Sequence, residues 1–187
     1  MKFFILAVTF LFTIYGNAQN SRERADAIYE HYIDRLYELV DINFHGGDFY
    51  EVIRLQTVLK GIYPDDAQLN QDYVWMLGNV DQHEDALREA IDFRKKHPEV
   101  LDGYLTEAMI YRTRNLPQRI PALLEPILDK ADHQNYFVLL AWAYEKMGLL
   151  KEAIRIHELR VKRNLGAETA TMNIQRIKEK INQMKEQ

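Results

Sequence analysis

The stretch that decides the fold is "LLAWAYEKMGLLKEAIRIHELR", residues 139–160. Two apolar patterns with helical spacing lie on either side of Gly148. With Gln134 counted as position 1 of a unit, Ala141 falls at position 8, Tyr144 at 11, Gly148 at 15 and Ala153 at 20. Apolar residues three or four apart line one face of a helix. A glycine where the first pattern ends is suited to the left-handed conformation that stops a helix.

Working outward, the same offsets recur. A unit from Leu101 places Ala108 at 8, Tyr111 at 11, Asn115 at 15 and Ile120 at 20. One from Ala67 places Val74 at 8, Leu77 at 11, Asp81 at 15 and Ala86 at 20, with Pro98 at 32. One from Ile33 places Val40 at 8, Gly47 at 15, Val52 at 20 and Pro64 at 32. The units are spaced by 34, 34 and 33 residues. Each reads as two helices joined at position 15, and the prolines end the second helix in two of them. Compact residues at 8 and 20 suit the point where two helices of a hairpin cross closest. Asp65 and Asp66 can cap the helix that follows Pro64.

This pattern resembles the tetratricopeptide repeat (TPR) family. The resemblance covers residues 33–167, with the best copy in "FVLLAWAYEKMGLLKEAIRIHELR". Departures are Asn70 where an aromatic is usual, Asp81 at a turn, Ile120 where alanine is commoner, and Pro117 and Pro121 early in a second helix. Pro121 is expected to distort or delay that helix. The resemblance implies an all-α fold, an α-solenoid of four helix-turn-helix TPR-like repeats (about 33–66, 67–100, 101–133 and 134–167). Residues 21–32 extend the first helix toward the N-terminus. Residues 168–186, with Ile174, Ile177, Ile181 and Met184 on one stripe, read as a capping helix; a coiled-coil seam is the alternative for that stripe.

The chain's beginning reads differently. Lys2 precedes an apolar run from Phe3 to Tyr15, followed by Gly16, Asn17 and Ala18. That is the pattern of a secretory signal peptide, residues 1–18, cut after Ala18. At 13 residues the run is too short to span a bilayer as a helix. The expected product is one domain, 19–187, with no stable membrane insertion. Its short basic region and Ala-Gln junction resemble those of secreted proteins of Gram-negative Bacteroidetes. The periplasm is the expected location, with release from the cell the alternative. There is no cysteine, so disulfides, thiolate metal sites and a lipidated cysteine are excluded. The net charge of −4 lacks lysine or arginine blocks and argues against nucleic acid as the partner.

In the TPR family the first helices face a concave groove that takes extended or helical peptides. Position 9 of the four units holds Asp41, Trp75, Met109 and Trp142. The groove set expected here is Trp75, Met109, Trp142, Tyr37, Phe44, Leu105 and Arg112. Two readings stay open: large residues that only pack against the neighbouring helix, or an apolar strip that anchors a partner's side chains. The six histidines form no HExxH and none is four residues from another. No phosphate loop or nucleophile motif occurs, and the acidic pairs sit at helix starts. The expected function is therefore a non-catalytic protein- or peptide-binding scaffold of the cell envelope, without cofactor or metal. The alternative is a structural subunit that uses its convex face or end helix.

Overall fold

The computed structural model describes residues 21–186 in full, and residues 2–20 only as the start of the first helix. The expected signal peptide, residues 1–18, lies outside the fully described residues. Among the described residues there is no strand, and no helix is long and apolar enough to cross a membrane. The chain divides into two compact units, residues 1–62 and 63–187.

The first unit is one hairpin, α1 (Lys2–Gly46) and α2 (Phe49–Ile62). Among the described residues its buried apolar side chains are Ile33, Leu36, Val52, Leu55 and Leu59, spaced by three and four, and Gln56 is buried with them. Upstream of them α1 continues without a break, and Ile28, Tyr29 and Tyr32 stand exposed on it.

The second unit holds α3 (Ala67–Asn79), α4 (His83–Lys96), α5 (Leu101–Thr113), α6 (Ile120–Leu124), α7 (Gln134–Lys146), α8 (Leu150–Lys162) and α9 (Ala167–Lys185). The residues read from the repeat as turn positions all adopt positive φ: Gly47 at 78°, Asp81 at 61°, Asn115 at 54° and Gly148 at 75°. After each, one amide reaches back five residues to close the helix end. These bonds are Asp48 N to Asn43 O (2.9 Å), Gln82 N to Leu77 O (2.9 Å), Leu116 N to Tyr111 O (2.8 Å) and Leu149 N to Tyr144 O (2.9 Å). Aspartate and asparagine tolerate the left-handed region well enough to stand in for glycine here.

The crossing residues are buried in the second unit, whereas in the first Val52 is fully buried and Val40 half-buried. Val74, Ala86, Ala108, Ile120, Ala141 and Ala153 are all 5% exposed or less. Where α4 meets α5, Gly103 allows the contact: a Cβ there would lie 3.0 Å from the Phe93 ring and 3.3 Å from the Arg94 Cα. The core is densest around α7, where Phe137, Leu140 and Ala143 are fully buried.

The third hairpin departs from the others. Its second helix is only five residues long, between 3₁₀ turns at Pro117–Arg119 and Glu125–Ile127. Three prolines remove amide donors within ten residues, so no α-helical ladder runs through them. Side chains of the next hairpin secure the irregular segment. Tyr144 donates to Glu125 (2.6 Å), and Arg163 donates to the carbonyls of Leu128 (2.9 Å) and Ala131 (3.1 Å).

Helix α9 packs on α8. Ala170 and Ile177 are fully buried, Ile174 and Ile181 half-buried, and Met184 points outward. Arg160 of α8 is 1% exposed and has no carboxylate partner among the described residues. It donates to the carbonyls of Leu165 (3.0 Å) and Gly166 (3.4 Å) and to Gln134 Oε1 (3.2 Å), fixing the turn into α9.

Candidate functional site: a cleft between α3 and α5

An open cleft of about 740 Å³ lies along α3, the start of α4 and α5. Val74, Ala86 and Thr106 form its buried floor, and Trp75 and Met109 flank it with 55% and 42% of their surfaces exposed. An indole and a thioether left in water beside a concave surface form the apolar anchor that peptide grooves use. Thr106 donates its hydroxyl to the Asp102 carbonyl (3.0 Å), so that donor is already engaged within α5.

The polar rim is unevenly charged. At one end Arg114 pairs with Glu84 (3.0 Å) and also donates to the His83 carbonyl. At the other, the Asp72 carboxylate accepts from Gln68 Nε2 (2.9 Å) and forms no ion pair among the described residues. Burial pushes the Asp72 carboxyl above its ordinary range, with Asp66 adding to the effect and the Gln68 hydrogen bond opposing it.

The expected groove residues separate into different settings. Trp75 and Met109 share the cleft. Trp142 is half-buried, with the Arg112 guanidinium over its ring at 5.7 Å from the centroid. Leu105, expected on the groove face, is 8% exposed and belongs to the core around α7. Tyr37 and Phe44 belong to the first unit, both exposed; Phe44 meets the Phe49 ring at 6.0 Å. From the sequence Arg114, like Arg112, is a candidate to meet a partner's carboxylate; Asp72, Gly78 and Thr106 are not singled out. Their only signal is repeat position: the sixth and twelfth residues of α3 and the sixth of α5.

Among the described residues, no group of three or more histidine, aspartate or glutamate side chains is placed to hold a metal ion. The buried histidine, His157, is 3% exposed with Nδ1 unpartnered. Burial depresses its pKa to about 4; Arg160 and Arg176 push the same way and Glu145 opposes them.

Helical hairpins closed by left-handed turns at a 33- or 34-residue spacing define a TPR-like α-solenoid. Solved structures carry the same fold. A MamA protein crystal structure matches with a TM-score of 0.61 at 17% identity, over 78% of this chain and 80% of that one. A thermophilic TPR protein in Thermus thermophilus matches at 0.58 and 17%, over 76% and 79%. A tetratricopeptide repeat protein from Parabacteroides merdae matches at 0.58 and 13%, over 76% of this chain and 56% of that one. No family model matches the sequence, and no curated protein matches it.

Proposed function

We propose that this chain is a non-catalytic scaffold that binds a protein or peptide partner through the cleft between α3 and α5. The observation that carries this reading is the pairing of exposed Trp75 and Met109 across an open concavity with a small-residue floor. A large ring and a flexible thioether offer contact area that varied side chains can use. The TPR-like fold supports a protein partner over a small substrate. The leader pattern at residues 1–18 supports export, with the periplasm as the site of action.

The test is capture of partners by the tagged chain from envelope extracts, with Trp75→Ala and Met109→Ala compared against wild type. The cleft reading requires both variants to lose the captured protein while keeping helical circular dichroism. Unchanged capture by both variants ends it. A second reading is favoured by one observation: Met172 and Met184 on the end helix are 67% and 63% exposed. A structural subunit docking by α9 retains its partner in Trp75→Ala and loses it in Met172→Glu with Met184→Glu. Fractionation of cells expressing the chain with and without residues 1–18 tests the location.

A further inference from the structure

Later junctions in the second unit are filled from within. Arg112, the twelfth residue of α5, covers Trp142, the ninth of α7. Glu145, the twelfth of α7, holds Arg176, the tenth of α9, by two bonds of 2.8 and 2.9 Å. The twelfth residue of α3 is Gly78, and the ninth of α5 is Met109; both line the open cleft.

Nothing in the backbone asks for glycine at 78. Its φ is not positive, and a Cβ built on it meets no atom within 4 Å. It lies in the last turn of α3, one residue before the helix ends, and the left-handed turn that follows is made by Asp81, so what the glycine contributes here is room. The missing side chain leaves Met109 uncovered and the cleft open.

The charges say what fits. Arg114 is already occupied by Glu84 and the His83 carbonyl, so a carboxylate on a ligand finds no available cation at that end. Asp72 is the uncompensated charge of the lining, with Asp66 near enough to reinforce it. From Asp72 to Gly78 is six residues of helix, about 9 Å. An extended chain covers that in two or three residues at about 3.3 Å each.

We propose that the cleft takes an extended peptide segment with a large apolar side chain over Gly78 and Met109 and, two or three residues away, a lysine or arginine facing Asp72 beside Trp75. This rests on the cleft being the partner site and deepens it by naming the partner's chemistry. The cation supplies the charge that Asp72 lacks, and its methylene stem lies along the indole. The segment restores from outside the cover that Arg112 gives Trp142 from inside.

The experiment uses the full chain and fluorescein-labelled Gly/Ser decapeptides that carry one tryptophan and, two residues later, lysine, arginine, glutamine or glutamate. Binding is read by anisotropy. The lysine and arginine peptides should bind about two- to fivefold tighter than the glutamine peptide, and the margin should shrink with added salt. Asp72→Asn should erase the margin, and Asp72→Lys should favour the glutamate peptide. Gly78→Phe should abolish binding with helical circular dichroism unchanged. Binding that is lost in Gly78→Phe and Trp75→Ala but blind to peptide charge overturns this inference and leaves the cleft as the partner site. Binding insensitive to both variants, or no binding of any peptide, overturns both.

Discussion

Met109 and Trp142 occupy the same place, the ninth residue of successive first helices, yet one is open to solvent and the other is covered. The difference lies in the helix before. Arg112 extends a guanidinium over the indole, whereas Gly78 extends nothing over the thioether. A repeat protein can therefore make an open cleft without a loop, an insertion or strain, by leaving out one side chain at one position. The same contrast runs through the core. The fourth residue of α7 is Phe137, fully buried among the residues around it; the fourth of α3 is Asn70, buried with Oδ1 unpartnered and Nδ2 only 3.4 Å from Glu89.

The largest effect should come from that fourth position. Phe137→Ala should destabilise the second unit by about 3–5 kcal/mol, and Asn70→Ala by about 1 kcal/mol or less, since its hydrogen bonding is already incomplete. Urea unfolding followed by tryptophan fluorescence reports on this unit, because both tryptophans lie in it. Equal losses in the two variants would mean that the two ends are packed alike.

Next in size is a pH effect confined to the well-packed end. His157 is held neutral by burial and by Arg160, with a folded pKa of about 4, below the ordinary value of 6.5. The unfolded chain takes up the proton first, so this contribution is intact above pH 6.5 and is lost as pH falls from 6.5 toward 4. A shift of that size corresponds to about 3 kcal/mol. His157→Leu should flatten the decline in urea midpoint between pH 7 and pH 4.5. A slope unchanged by the substitution would assign the acid sensitivity to other groups. Smaller again is the ninth position itself: Trp142→Ala should cost about 1–3 kcal/mol and Met109→Ala under about 1 kcal/mol, with the order reversed for partner binding.

What could be read from the sequence was what depends on backbone and spacing. The turn residue of each hairpin followed from the repeat alone, and even Asp81, a poor match on residue type, takes up φ 61°. Helix closure there is set by the 5-residue return bond and does not need glycine. Pro117 and Pro121 foretell the break in the third hairpin; Pro126, which lies beyond the repeat positions that carry the pattern, ends what remains of the helix. Leu105 was assigned to the wrong face because a helix between two neighbours buries a wider stripe than one hairpin partner demands. Arg160 gave no sign: a fully buried guanidinium is held here by carbonyls of a turn through Nε and Nη2, with Nη1 unpartnered, and no pattern of residue types announces where carbonyls will gather. Gly78 is the instructive case. A missing side chain is visible only against the register of its siblings, and only once Arg112 and Glu145 are seen to reach across.

The smallest effect separates the two junctions most directly. Gly78→Ala adds a methyl group into open space in the last turn of α3, so it should stabilise the second unit by about 0.5 kcal/mol or less. Arg112→Ala removes a guanidinium from the Trp142 ring and should cost about 0.5–1 kcal/mol, less in high salt. The two changes act on equivalent positions with opposite sign. A gain at 78 would show that glycine is kept there against stability, which is expected where an open cleft serves binding. A loss at 78 would mean that the helix or its neighbours need glycine for packing, and the cleft would then be a by-product of that constraint.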